Sequence, residues 1–271
     1  MLTDITIGQY FPGNSLLHRM DPRMKLVLTF AYIVAVFIPR NWVGLGLAIA
    51  FLAVSVACSR LPLRLVFKSI KPILPLILIT SLLNIFYVRE GLVLVDWWVF
   101  HITLKGVINA IFIAIRILCL IAGSSLLTYT TSPTALTDAI ERLMKPLKAI
   151  HVNVHELAMM MTIALRFIPT LIEETDKIMS AQKARGADME SGGLLQRIKA
   201  LIPILIPLFV SSFRRAYELA MAMECRCYRG GEGRTRMKQL HLASRDILSL
   251  VCMAAMVALL ILLNFFIPAA V

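Results

Sequence analysis

Five stretches of this chain approach the length of a bilayer crossing, roughly 20 residues of helix. They run over 24–38, 42–58, 72–88, about 106–129 and 247–267. Hydrophobic residues make up 59% of the 271, too many for a single soluble domain of this size. The fold class that follows is all-α: a polytopic helical membrane protein with about five transmembrane helices. Several runs are short, so tilt or local thinning of the bilayer is expected.

Local signals bound these spans. Asp21-Pro22 pairs a capping acceptor with proline at the first helical position. Pro39-Arg40-Asn41 breaks the chain after the first run, and Trp97 and Trp98 after the third suit a membrane–water interface. Residues 1–25 have no basic region ahead of an apolar core, so no cleavable signal peptide is expected. The five cysteines are scattered, three of them in apolar segments, and read as packing residues, not as a disulfide framework.

Charge orients the spans. A net charge of +12 could suggest nucleic acid, but in a polytopic protein it reports basic cytoplasmic loops, and no nucleic-acid partner is expected. With the N-terminus inside, one face receives Arg19, Arg23, Lys25, Arg60, Arg64, Lys68, Lys71 and everything basic between 131 and 245. The other receives only Arg40, Arg89 and Lys105. The positive-inside rule puts the N-terminus in the cytoplasm and the C-terminus outside the cell membrane.

Residues 131–245 differ in kind from the rest, holding 17 of the 28 basic residues between strong apolar stretches. Residues 131–150 have a Ser/Pro start and a helical period. A helix of about 30 residues follows and ends at Ala-Arg-Gly, 184–186; a second begins after Gly192-Gly193 and ends at Cys-Arg-Cys, 225–227. Prolines 169, 203 and 207 should kink or locally open them. Small residues (Ala158, Ala164, Ala181 and Ala184 in one, Ser211, Ala216, Ala220 and Ala222 in the other) would let the two cross closely. The chain therefore divides into a membrane domain at 1–130, a coupling domain of long helices at the cytoplasmic face, 131–245, and a C-terminal transmembrane helix at 246–271.

Catalytic motifs do not emerge. His151 and His155 stand four residues apart beside Glu156, but the zinc-protease pattern needs a histidine where Met159 stands. Cys225 and Cys227 are too closely spaced for a zinc knuckle, with no second pair. Neither a phosphate-binding Gly-rich loop with lysine nor a Gly-x-Ser-x-Gly elbow occurs. Arg116 lies within the fourth apolar run, where a charge is by default a functional candidate. No Asp or Glu lies in the spans to pair with it, so backbone carbonyls, the protein interior or a partner must satisfy it.

Arg185 and Arg226 have two readings. A cation in the last helical turn suits the helix dipole, and Gly186 is a natural left-handed cap. Two such ends on consecutive long helices, each arginine between small residues, also suit bidentate docking to two equivalent acidic sites.

At these residues the sequence resembles the transmembrane T component of energy-coupling factor (ECF) vitamin transporters, a branch of the ABC importers. "LLHRMDPRMKL" at 16–26, "QKARGAD" at 182–188 and "AMECRCYRGGEGRTR" at 222–236 carry the resemblance, which covers nearly the whole chain. Members typically carry two x-Arg-x motifs at the ends of two coupling helices, often Ala-Arg-Gly. The first matches as Ala184-Arg185-Gly186; the second departs from the commonest form as Cys225-Arg226-Cys227. The resemblance implies that each arginine docks one of two ATP-binding-cassette subunits. It also implies that the apolar faces of the coupling helices grip a small substrate-binding membrane protein, the S component. The residues expected to touch it are Ala158, Met161, Ala164, Leu165 and Ile168, with Leu205, Leu208 and Phe209. ATP and magnesium would belong to the partner ATPases, leaving this chain a non-enzymatic transducer without a cofactor. A conventional ABC permease would need a polar substrate lining, and a polytopic membrane enzyme would need clustered Asp, Glu, His or Ser at membrane depth. Apart from Arg116 the spans offer neither.

Overall fold

The structure, a computed structural model, describes residues 10–88, 93–97, 100–151, 153–187, 193–230 and 240–267. Trp98, Gly192 and residues 231–239 lie outside them. Among the described residues the helices are α1 (Pro22–Phe37), α2 (Trp42–Ser59), α3 (Leu63–Ile70), α4 (Leu74–Tyr87), α5 (Leu104–Thr130), α6 (Pro133–Leu143), α7 (Val154–Ala184), α8 (Leu194–Cys225) and α9 (Ser244–Phe266). Between α4 and α5 the strands β1 (Val93–Trp97) and β2 (Phe100–Thr103) form an antiparallel hairpin with a bulge between Val93 and Val95. Chain contacts cluster into two units: residues 9–139 with 239–271, and a second unit whose described residues lie between 140 and 230.

The first unit is a helical bundle whose helix starts follow the local sequence. Asp21 caps α1, its carboxylate accepting from the Arg23 N–H ahead of Pro22. Asn41 caps α2 by accepting from the Gly44 N–H at 2.8 Å, and Thr103 caps α5 by accepting from the Gly106 N–H at 3.1 Å. Each supplies an acceptor for a donor that the first helical turn leaves unpaired. The Thr103 hydroxyl also donates to the Val88 carbonyl at 2.8 Å, tying the start of α5 to the end of α4.

Helix α5 is the hub of the bundle, packing on α1, α2, α3 and α4. Tyr32, Ala35 and Val36 of α1 share a buried core with Ala48 of α2, Cys119 of α5 and Met253, Met256 and Leu260 of α9. The Tyr32 ring lies so close to α5 that a Cβ on Gly123 would come within 2.5 Å of it. Only glycine fits that approach.

Polar contacts fix the direction of each helix. The Asp21 N–H donates to Asp246 at 3.0 Å, and Arg23, paired with Asp21, donates to the Leu240 carbonyl at 3.1 Å. The start of α1 therefore sits beside the start of α9. At the other end the Arg40 N–H donates to Asn264 at 3.1 Å and the Asn41 amide to the Leu263 carbonyl at 3.2 Å. Helices α1 and α9 run parallel. Buried Lys25 donates to the Thr130 carbonyl at 2.9 Å, covering the carbonyl end of α5 from the start of α1. The chain consequently leaves the bundle after α5 at the same face where it returns for α9.

Five helical stretches are long and apolar enough to cross a membrane: α2, the continuous stretch Leu63–Tyr87, α5, α7 and α9. The number agrees with the sequence expectation, but the membership differs. Helix α1 has 16 residues, about 24 Å at 1.5 Å per residue, because the Pro39 break cuts it short. Helix α7 joins the set through its apolar first half.

The second unit is dominated by α7 and α8, of 31 and 32 residues, with the expected boundaries. Both run continuously through their internal prolines, Pro169, Pro203 and Pro207. Residues 131–150 are helical only to Leu143, followed by a 3₁₀ stretch at Lys145–Ile150; Pro146 falls in its first turn, where a missing N–H costs no helical bond.

Candidate functional site

Both long helices end in the same backbone device. At the end of α7 the Ala187 N–H reaches back to the Gln182 carbonyl and the Gly186 N–H to that of Lys183, both at 3.0 Å. At the end of α8 the Tyr228 N–H reaches the Met223 carbonyl at 3.0 Å and the Cys227 N–H that of Glu224 at 2.8 Å. These are the two bonds of a Schellman cap, which needs a left-handed residue just past the helix. Gly186 (φ 84) and Cys227 (φ 55) fill that position. A side chain there costs roughly 1 kcal/mol, so Cys227 holds by strain the turn that Gly186 adopts freely.

The matched caps place Arg185 and Arg226 at the same position, the last half-helical residue of each helix. Both are exposed, as are Ala184, Gly186, Cys225 and Cys227 around them. Among the described residues neither guanidinium has a partner. Their fixed donor forks remain available for a carboxylate from outside the chain.

Contacts at three levels order the two helices. Gln182 donates to the Pro203 carbonyl at 3.4 Å, an acceptor left open because Pro207 has no N–H to give it. Further along, Glu174 accepts from Ser211 at 3.0 Å and pairs with Arg215. Beyond them the Tyr228 hydroxyl donates to the Met159 sulfur at 2.9 Å. As α7 numbers fall, α8 numbers rise, so the pair is antiparallel. The arginines lie at opposite ends of it, about 35 Å apart for 23 residues of straight helix.

Several of these contacts were not anticipated from the sequence. Glu174, Arg215, Gln182 and Tyr228 join across 21 to 69 residues, a separation over which hydropathy and spacing carry no signal. Of the small residues expected at the crossing, Ser211 sits at the helix contact and Ala158 is buried, whereas Ala164, Ala181, Ala184, Ala216, Ala220 and Ala222 are exposed. His155 pairs with Glu141 at 3.1 Å, and no metal-holding group of His, Cys, Asp or Glu occurs among the described residues. Arg116 donates to the Pro39 carbonyl at 2.6 Å, its guanidinium 4.9 Å from the Phe112 ring and 5.9 Å from that of Phe37. A backbone carbonyl and two aromatic faces thus take up the intramembrane charge.

The apolar faces divide unevenly. Met161 and Ala164 are exposed and Leu165 and Ile168 half-buried on α7; Leu205 and Phe209 are exposed and Leu208 half-buried on α8. Ala158 departs from expectation. At 5% exposure it is packed inside the chain and offers no outer surface. Helix α8 also exposes Ile198, Ile202, Phe213 and Tyr217, which continue the line of Leu205 and Phe209 at three- and four-residue steps along one side.

Residues 13–237 match the family described as Cobalt transport protein, CbiQ. The chain is 54% identical to the energy-coupling factor transporter transmembrane protein EcfT of Clostridium kluyveri over 263 residues, 97% of each chain. It is 56% identical to that of Ruminiclostridium cellulolyticum over 248 residues, 92% of each. It is 51% identical to that of Acidaminococcus fermentans over 269 residues, 99% of this chain and all of the relative.

Proposed function

The chain belongs to the family of energy-coupling factor transporter transmembrane proteins EcfT, and on that premise we propose that it is the scaffold and energy transducer of such an importer. In this reading Arg185 and Arg226 each dock one of two ATPase subunits, which carry ATP and magnesium. The exposed apolar faces of α7 and α8 hold a small membrane S component that binds the vitamin or other micronutrient. Closing of the ATPase pair pushes the two helix ends relative to each other and reorients the S component. This chain performs no catalysis and carries no cofactor of its own.

One observation carries the reading: two helices end in the same cap, with an unpartnered arginine at the same position, even though Cys227 must strain to make the second.

In this reading the chain leaves the bundle after α5 and returns for α9 at its cytoplasmic face, where the α7–α8 pair offers both arginines to the two ATPases. The basic residues of that face, Arg19, Arg60, Arg64, Lys68 and Lys71 among them, orient it toward the cytoplasm.

The test is the double substitution Arg185→Ala/Arg226→Ala, with ATPase co-purification and substrate uptake as readouts. Removing a guanidinium from a desolvated carboxylate costs roughly 2–5 kcal/mol, so each single change weakens assembly by tenfold or more. The double also loses the mutual reinforcement of two tethered contacts and should nearly abolish uptake. Normal assembly and uptake in a well-expressed double mutant would overturn the docking role.

A further inference from the structure

Three arginines that the docking reading does not use converge on one cleft of the bundle. It measures about 520 Å³ and is lined by Arg19 from the loop before α1, Arg60 at the end of α2 and Arg245 in the first turn of α9. Leu16, Val54 and Ala57 form much of its apolar wall, and among the described residues no acidic one lines it. All three arginines are exposed, and among the described residues none has a partner.

The carboxylates closest in sequence to Arg245 and Arg19 are already engaged. Asp246, beside Arg245, is 1% exposed and accepts from the backbone of Asp21 and Ala243. Asp21 is held by Arg23. Three like charges therefore face one cavity with no counter-charge among the described residues that line it, an arrangement that an anion relieves. Arg60 also adopts the left-handed conformation (φ 52), which a glycine would take without strain. The chain accepts that strain at a position whose side chain lines the cleft.

The surroundings specify the kind of anion. Val54, 62% exposed, lies about two turns inside α2 from Arg60, and Leu248 and Val251 are 65% and 58% exposed just beyond Arg245 on α9. These apolar surfaces descend from the arginines along two membrane-length helices. Next in sequence to Arg60, α3 exposes Leu63 and Phe67 together with Arg64 and Lys68, the mixed character of a helix lying at a membrane–water boundary. A phosphate at the arginines would thus have hydrocarbon beneath it.

We propose that this cleft is a binding site for the phosphate of an anionic phospholipid, with the guanidiniums of Arg19, Arg60 and Arg245 on the headgroup and an acyl chain along α2 and α9. The site is independent of the roles given to Arg185 and Arg226. Its chemistry is that of any phosphate anion, so the test must separate lipid from free phosphate.

The experiment uses the full-length protein in a nonionic detergent, read by native mass spectrometry with phosphatidylglycerol, phosphatidylcholine or inorganic phosphate added. The wild type should retain phosphatidylglycerol over phosphatidylcholine, and millimolar inorganic phosphate should not displace it. Each arginine near a membrane surface is worth about fivefold in affinity for anionic lipid, so R19Q/R60Q/R245Q should lose that preference by about a hundredfold. R60G removes one charge and relieves the left-handed strain, so it should fold at least as well as wild type and lose about fivefold. Unchanged phosphatidylglycerol preference in either variant would overturn the proposal, as would equal retention of phosphatidylcholine by the wild type. Displacement of the lipid by inorganic phosphate at equal concentration would overturn the lipid assignment in favour of a free-anion site. Should the triple variant fail to fold, R60G decides.

Discussion

In the bundle, Asp21, Arg23, Lys25, Arg116 and Asp246 each end on a partner within the chain. In the α7–α8 pair, Arg185 and Arg226 end on none among the described residues. The apolar surface divides the same way: 39% of the most apolar stretch of α5 is buried, against 6% of that of α7. A bundle in lipid satisfies its polar groups internally because hydrocarbon offers no partners. The pair leaves both arginines and greasy surface open, and in the proposed reading partner proteins complete it. On that reading the difference separates residues that build the molecule from residues that connect it.

The sharpest way to break this comparison is topological. In a background whose other cysteines are replaced, native Cys225 and a cysteine introduced at Ala187 mark the two ends of the pair. Both should react with an impermeant thiol reagent only after the cells are permeabilised. If α7 crosses the membrane, the two will label from opposite sides, and the single docking face is lost.

Asp246→Ala should give the largest loss of stability. It strands the buried N–H of Asp21 and the half-buried N–H of Ala243, and an unsatisfied buried donor costs about 1–3 kcal/mol. Thermal unfolding in detergent should show a clear fall for Asp246→Ala and none for Arg185→Ala, which removes no internal contact. Equal falls in both would erase the distinction between building and connecting residues.

How much of this could be read in advance follows from the range of each interaction. The helical runs, the Asp21 cap and the 184–186 and 225–227 ends were legible because hydropathy, capping and helix termination are local. The pairing of β1 with β2 was not anticipated, since the segment has no clear apolar/polar alternation in sequence. The parallel course of α1 and α9, the Glu174–Arg215 clamp and the burial of Ala158 were not legible either. Each depends on which distant helix lies alongside, and sequence spacing does not encode that. At Cys227 the absence of glycine weakens the case for a left-handed cap as read from sequence. There the Schellman hydrogen bonds outweigh a strain of about 1 kcal/mol.

A smaller effect probes the apolar half of the comparison. Ala164 is exposed on α7, so Ala164→Glu should leave the fold and the ATPases in place while releasing the S component. Co-purification of each partner distinguishes the outcomes. Loss of both would mean that the substitution disrupts α7 itself, and that this face is structural and not a contact surface.

The smallest expected effect tests why the second helix end carries a cysteine. Cys227→Gly places glycine at φ 55, relieving about 1 kcal/mol of left-handed strain. The Cys227 side chain is exposed, so little packing is lost to offset the gain. Gly186→Ala is the mirror experiment: nothing lies within 4 Å of an added Cβ, so its whole cost is the backbone strain at φ 84, again about 1 kcal/mol. Stability should therefore rise in the first variant and fall in the second, while uptake in Cys227→Gly stays at the wild-type level because Arg226 keeps its position. If Cys227→Gly folds well but transports poorly, the cysteine itself takes part in the contact, and the two helix ends are not equivalent.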